Sequence, residues 1–391
     1  MDFAGVGASR RTELWHPSAP PIVGEPPCEF SCMSIPSIGE REMIMRQSSL
    51  LVGLCIAIVA AGLLSPAAAQ QWQVPRTPDG HPDLQGNWSN QTMTPVERPE
   101  GQEPVLTWEE VAEREGRAAA AYEAGSRPSD PNRPPLEVGS AVGGYNRVYL
   151  DPGMRVAVVE GEPRSSLITD PPDGRRPPLT AEAQRIRDEV QAFMDSFGPF
   201  DNPENRTLAD RCIVGFGAHG GPPMTPNYGY NSNYTIVQTA DHVMIHTEQV
   251  HDTRIIHLRE PEPVPDHVRP WFGVSYGRWE GDTLVVETTN IHPLQQYRPR
   301  GFVDAGVWEV RPSPSMKITE RLTRVDEDTI LYEFTIEDPE TYTRPWSGQV
   351  PFWRFDDLLY EYNCHEGNYA MSNILSGARF QERGASHNEP E

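Results

Sequence analysis

The chain has little positive charge. It carries 33 Lys and Arg residues against 56 Asp and Glu residues, a formal net charge of −23. Phosphate backbones and anionic membrane surfaces bind clustered cations, so this balance argues against a nucleic-acid partner or an anionic membrane partner. Lys317 is the single lysine. Nearly all positive charge is therefore arginine, which suits forked bonds to carboxylates and leaves no broad choice of Schiff-base lysines.

Long apolar runs are equally scarce. One run extends from Leu50 to Leu64, which is too short for a comfortable membrane span. Arg46 precedes it and an A-x-A site ends it at Ala69, a pattern typical of a secretory signal peptide. Because a signal peptide begins its chain, we expect translation to start at Met43 or Met45, with residues 1–42 a mis-assigned upstream segment. Residues 43–69 are then the signal peptide, and cleavage occurs near Ala69/Gln70. The mature protein is then periplasmic or secreted, without a membrane anchor.

Cysteine becomes rare once that leader is removed. Cys212 and Cys364 remain, and an oxidising compartment favours a disulfide between them. Two separately buried thiols are the alternative, and a catalytic thiolate is a third.

Prolines and glycines are abundant, 40 and 32 respectively, which favours turns and extended segments over a helical bundle. Thr107 and Glu110 form a capping box before a predicted helix at 108–123. Thr180 precedes a second, amphipathic helix, which is expected to pack one face. Period-2 patterns predict the strands that follow: 146–150, 156–159, 166–169, 234–239, 242–249, 254–258, 277–280, 283–289, 316–325, 329–337, 346–355 and 358–364.

Residues 70–391 show no clear linker, so we predict a single, mainly-β domain. Its antiparallel hairpins favour a lipocalin-like β-barrel or a sandwich, with two peripheral helices in the N-terminal half.

One predicted strand breaks its own alternation. In 316–325, Glu320 shares a face with Met316, Ile318 and Leu322. A buried carboxylate costs several kcal/mol unless it is paired. Glu320 is therefore either an inward-facing acid in a barrel lumen or the partner of a buried arginine, unless a bulge turns it outward.

Segment 246–254 concentrates two histidines, two acids and an arginine. We expect His246 and Glu248 to share one strand face, with His251 and Asp252 in a hairpin turn. Together with Arg254 they suit acid–base work or anion binding, or form a solvated hairpin tip.

Segment 360–368 is predicted to close the last strand. Tyr362 lies on it, and His365 with Glu366 forms the densest candidate for a base and its orienting acid. The alternative is an ordinary cluster at a strand end.

Metal binding is a competing use of the histidines. Residues 70–391 contain no H-x-H, H-E-x-x-H or C-x-x-C motif, so we expect no metal or other cofactor. A metal site formed in space by His and Glu side chains is the alternative.

The glycine-rich segment 215–221 is interpreted as a flexible loop over the site. Aromatic residues of the C-terminal half form mainly core, and some of them, with Trp279, Tyr332 and Trp346 as candidates, line an apolar pocket.

Three segments resemble a large family of exported bacterial proteins. They are SLITDPPDGR at 166–175, GRWEGDTLVV at 277–286 and YEYNCHEGNY at 360–369. The resemblance extends over nearly all of residues 70–391 and implies an exported location. A weaker likeness, to lipocalin-type barrels, rests on G-x-W at 86–88 and 277–279.

Two functions fit these features. The first is a cofactor-independent enzyme for isomerisation, cyclisation, elimination or hydrolysis of a small, partly apolar or aromatic substrate. In this enzyme His365 or His251 is the base, and Glu320 or Glu366 is the acid. Arg254 steadies an oxyanion or a carboxylate. The second is a binding protein with the same pocket and no turnover. The inward-facing Glu320 favours the enzyme.

Overall fold

The structure, a computed structural model, describes residues 72–128, 132, 151, 153–198, 200–215, 220–226, 229, 232–295 and 311–386. All of them belong to the compact unit Trp72–Glu391. The predicted signal peptide and the predicted strand at 146–150 lie outside the described residues. So does the middle of the glycine-rich segment, 216–219.

The elements follow the predicted order for most of the chain. They are β1 Gly86–Ser89, α1 Trp108–Ser126, β2 Val158–Val159, β3 Glu162–Pro163, β4 Ile168–Asp170, α2 Ala181–Asp195, β5 Asn233–Gln238, β6 His242–Thr247, β7 Thr253–His257, β8 Val274–Glu280, β9 Thr283–Thr289, β10 Lys317–Arg324, β11 Thr329–Glu337, β12 Trp346–Arg354 and α3 Ala370–Ser386.

Nine strands close into a barrel in the order β1-β5-β6-β7-β8-β9-β10-β11-β12, with β12 pairing back to β1. This closure confirms the barrel and rules out the sandwich, whose two sheets would keep open edges. All pairs are antiparallel except β7 with β8. β4 pairs with β12 beside β1. The small hairpin of β2 and β3 stands apart from the barrel sheet.

Buried residues alternate with more exposed ones along most strands of the barrel wall, which gives the wall an inner and an outer face. In β10 and β11 every second residue is buried, and those residues meet the inward side chains of β12. The interior is therefore a packed apolar core. Its largest fully buried side chains are Trp88, Tyr234, Tyr332, Phe334 and Phe352.

The two ends of the barrel differ. Residues 72–85 cover the end formed by the tight turns at 239–241, 281–282 and 325–328, which we call the closed end. There Arg76 Nη2 lies 2.6 Å from Asp282 Oδ1. The Leu84 amide donates to Gln238 Oε1 at 2.6 Å. We call the opposite end, where β6 turns into β7, the site end.

Both predicted helices are present. The α1 capping box is confirmed, since the Glu110 amide donates to Thr107 Oγ1 at 3.2 Å and the Thr107 amide donates to Glu110 Oε2 at 2.8 Å. The expected packing of α2 is wrong. Ile186 and Phe193 on its apolar side, and Phe197 just beyond its end, are all exposed. None of the described helices is long and apolar enough to cross a membrane.

The predicted strand at 358–364 does not form. β12 ends at Arg354, and residues 358–364 have no strand structure. Because β11 occupies one edge of β12 and β1 with β4 occupies the other, barrel closure leaves no edge for another strand. Helix α3, which the sequence reasoning does not predict, follows at Ala370.

Candidate functional site

A buried charged cluster lies inside the barrel. Glu320 on β10 is 0% exposed and Arg254 on β7 is 3% exposed. Arg254 Nη2 donates to Glu320 Oε1 at 2.9 Å. Strands β8 and β9 separate β7 from β10, so the two side chains meet across the interior. Glu320 is thus both the inward-facing acid and the partner of a buried arginine that the sequence predicts. The β10 register is continuous with both neighbours, which excludes the bulge.

Tyr332 on β11 completes the cluster. Its hydroxyl donates to Glu320 Oε1 at 2.8 Å and accepts from the Met224 amide at 2.9 Å. Burial, and secondarily the Glu320 carboxylate, raises the pKa of Tyr332 well above its usual value. Tyr332 therefore remains a neutral hydrogen-bond donor at physiological pH.

The cluster continues through segment 220–226. The side-chain amide of Asn90 donates through Nδ2 to the Met224 carbonyl at 3.1 Å and to the Tyr234 hydroxyl at 3.2 Å. Burial also raises the pKa of Tyr234. Asn90, Tyr234 and Met224 are missing from the sequence-based site. The only signal for Asn90 is its position directly after the strand that begins with G-x-W.

Several polar atoms of this network have no hydrogen-bond partner among the described residues. They are Arg254 Nε and Nη1, Glu320 Oε2, Asn90 Oδ1 and Gln295 Oε1. Gln295 also contacts segment 220–226, since its Nε2 donates to the Gly221 carbonyl at 3.0 Å. Buried polar groups are usually paired, so a concentration of free donors and acceptors inside a barrel is typical of a site for water or a polar ligand.

Glu248 is buried but does not share a strand face with His246. β6 ends at Thr247, and past it the Glu248 carboxylate accepts from Asn233 Nδ2 at 2.7 Å and from the Tyr360 amide at 3.4 Å. His246 instead faces Thr253, with 3.0 Å between Nδ1 and Oγ1. The predicted face is wrong because the strand stops one residue before Glu248.

The turn from β6 to β7 contains the other predicted residues of that segment. Gln249–His251 form a short 3₁₀ turn, and Asp252 follows it, half-buried. Val250 has φ 60°, a left-handed conformation that is strained for a β-branched residue. Such strain is often found beside functional sites. The predicted hairpin turn at His251 and Asp252 is thus present.

The structure does not join His365 and Glu366 to the buried cluster. Both are exposed in a turn beyond the barrel, and Tyr362 is half-buried just before them. The Glu320 carboxylate instead bonds to Arg254 and Tyr332, which lie on β7 and β11.

Of the predicted aromatic lining, Tyr332 alone bonds to Glu320. Trp346 is core, with its ring centre 5.6 Å from that of Phe334 in an edge-on arrangement. Trp279 lies at the closed end and stacks on His81, with ring centres 5.0 Å apart.

The predicted disulfide is confirmed. Cys212 and Cys364 are bonded, with Cα atoms 5.6 Å apart and a sequence separation of 152 residues. Asn368 Nδ2 donates to Cys212 Sγ at 3.2 Å, close to the start of α3. The bond ties the segment that covers Glu248 to the loop before segment 220–226.

The described residues contain no group of three or more His, Cys, Asp or Glu side chains placed to hold a metal ion. The His292 ring, for example, accepts a hydrogen bond from the Leu294 amide at 3.1 Å and packs on Trp271.

A serine-hydrolase pattern, G-x-S-x-G, occurs at 273–277. It does not form a nucleophile elbow, which requires a sharp strand-to-helix turn. Ser275 lies within β8, is buried, and has its Oγ 2.8 Å from Thr288 Oγ1.

Comparison of the chain with known protein families, curated proteins and solved structures gave no match.

Proposed function

We propose that the protein is an exported, cofactor-independent enzyme that performs acid–base chemistry on a small, partly apolar molecule at the site end of the barrel. The observation that carries the proposal is the unequal use of the two oxygens of Glu320. Oε1 accepts from Arg254 and Tyr332, whereas Oε2 is free among the described residues.

This arrangement suits a general base. The two donors on Oε1 fix the orientation of the carboxylate, which leaves the lone pairs of Oε2 for a substrate proton. In an isomerisation or cyclisation, Oε2 takes a proton from one substrate atom and returns it to another, so the enzyme ends the cycle unchanged.

Arg254 supplies the complementary charge. Its Nε and Nη1 are free donors beside the base, and a buried donor is worth more to a developing oxyanion than one in water. Tyr332 stays protonated and holds the carboxylate. The surrounding aromatic core, including Phe352 with its ring centre 5.2 Å from that of Tyr332, favours an apolar or aromatic body on the substrate.

A binding protein without turnover is the alternative. It is favoured by the same ion pair, because a carboxylate already held by an arginine and a tyrosine can orient a ligand without moving a proton.

The test is a panel of small ketones, lactones and amides in D₂O. Ligand-observed NMR reports binding, and loss of the α-proton signal reports exchange. We expect the protein to bind members of the panel and to accelerate exchange. Glu320→Gln leaves the charge of Arg254 unpaired, so it should be less stable but still folded, and it should abolish exchange. Glu333→Gln is the matched control, since Glu333 lies on the outer face of β11, where it pairs with Gln349.

Binding without exchange in the unaltered protein would favour the binding-protein alternative. Exchange at an unchanged rate in Glu320→Gln would remove Glu320 from the mechanism.

A further inference from the structure

Two histidines face each other on the outside of the barrel wall, away from the buried cluster. His242 begins β6, His257 ends β7, and the two are directly opposed in the strand register. Inward residues of these strands, such as Ile256 and Val243, alternate with them, so both imidazoles lie on the outer face.

The hydrogen-bond pattern places the two side chains at a closely spaced position of the strand pair. The Leu258 amide donates to the Asp241 carbonyl at 2.8 Å, so Asp241 and Leu258 form a hydrogen-bonded pair. The next pair, His242 with His257, is then a non-hydrogen-bonded pair, in which opposed side chains come closest.

The ring geometry fits chelation of one ion. A metal–nitrogen bond of about 2.0 Å puts each imidazole centre about 3.2 Å from the ion. Two such rings have centres about 4.5 Å apart when the two bonds are at right angles and about 6.4 Å apart when they are opposite. The centres of His242 and His257 are 5.1 Å apart, with an interplanar angle of 68°. This separation lies inside the chelating range.

Nδ1 of His257 is buried and has no hydrogen-bond partner among the described residues, so no hydrogen bond fixes that ring through Nδ1. Nδ1 of His246, in contrast, lies 3.0 Å from Thr253 Oγ1. The neighbouring cation is itself paired, because Arg259 Nη1 donates to Glu262 Oε1 at 2.6 Å. The ring of Tyr276, 5.7 Å from that of His257, bounds the pair on the β8 side.

We propose that His242 and His257 form a chelating site for a borderline divalent transition-metal ion, with copper(II) binding most tightly. Imidazole nitrogen suits copper, nickel and zinc, and among these divalent ions copper(II) forms the strongest complexes. Two imidazoles and water complete a tetragonal copper(II) ion, which does not need a third protein ligand. The site is independent of the proposed enzyme function.

The experiment is a titration of the full chain with copper(II) sulfate, followed by isothermal titration calorimetry and electron paramagnetic resonance. Iodoacetamide treatment beforehand blocks any free thiol, and excess glycine competes for weakly bound copper. We expect one copper equivalent with nitrogen hyperfine structure that is absent from the double variant His242→Ala/His257→Ala. Each single variant should lose at least tenfold in affinity.

His246→Ala is the matched control, because it lies on the same strand and the same face but opposes a threonine. It should bind copper as the unaltered chain does. His242 is exposed, so His242→Ala tests the site even if the half-buried His257 does not tolerate replacement. The proposal is overturned if His242→Ala binds copper as tightly as the unaltered chain, if His246→Ala shows the same loss, or if the double variant matches the unaltered chain.

Discussion

At the residue scale, the ion pair of Arg254 with Glu320 makes a prediction about stability. Removing one partner of a buried pair leaves an uncompensated charge, whereas replacing both with apolar residues of similar size is often neutral. We expect Arg254→Met to lower the free energy of unfolding by about 3–5 kcal/mol. The double variant Arg254→Met/Glu320→Leu should recover most of that loss. Urea denaturation of the unaltered chain, the two single variants Arg254→Met and Glu320→Leu, and the double variant measures the cycle. Additive losses in the double variant would contradict a direct pairing.

The same pair shows what one strand can and cannot reveal. Alternation within β10 is enough to predict that Glu320 points inward, because side chains in a strand change faces at every residue. The identity of its partner depends on barrel closure. Arg254 precedes Glu320 by 66 residues, and two strands separate them in the sheet. The sequence points to Arg254 only through its charged neighbours, and Asn90 and Met224 join the site through backbone and amide contacts that no local pattern specifies.

At the element scale, the sequence patterns of hairpins are enough to predict that strands β8 to β12 exist, because tight turns and period-2 alternation act locally. Prediction fails where an element depends on its neighbours. Segment 358–364 alternates like a strand, yet no sheet edge is available for it. Helix α2 has an apolar stripe, yet Ile186 and Phe193 on it remain exposed, as does Phe197 two residues past its end.

This exposure of α2 has a measurable consequence. Phe193 is 63% exposed, and its ring contacts that of Phe197, with centres 5.0 Å apart. Exposed substitutions away from special features change stability by less than about 0.5 kcal/mol. We therefore expect Phe193→Ser to leave the free energy of unfolding within that limit, while Phe334→Ser in the core should be strongly destabilising. A large loss in Phe193→Ser, measured by urea denaturation, would mean that the helix packs its apolar side after all.

At the scale of the whole molecule, the disulfide links parts of the chain that lie outside the barrel wall. Cys212 and Cys364 close a loop across 152 positions, which includes strands β5 to β12. In the chain-entropy account such a bond restricts the unfolded chain, and its loss costs between about 2 and 5 kcal/mol. The double variant Cys212→Ser/Cys364→Ser should therefore melt at a lower temperature and keep the far-ultraviolet circular dichroism of the barrel, because no barrel strand contains either cysteine.

The effect on the native state should be local. The disulfide lies between the loop at Cys212 and the segment whose Tyr360 amide contacts Glu248, so its loss frees that segment and α3 first. Hydrogen exchange of the double variant should accelerate at 358–364 and in α3, while the amides of β10 and β11 stay protected under native conditions. Equal acceleration in the barrel strands would show that the bond holds the barrel itself closed. A serine variant with unchanged melting temperature would show that the disulfide does not contribute to the stability of the molecule.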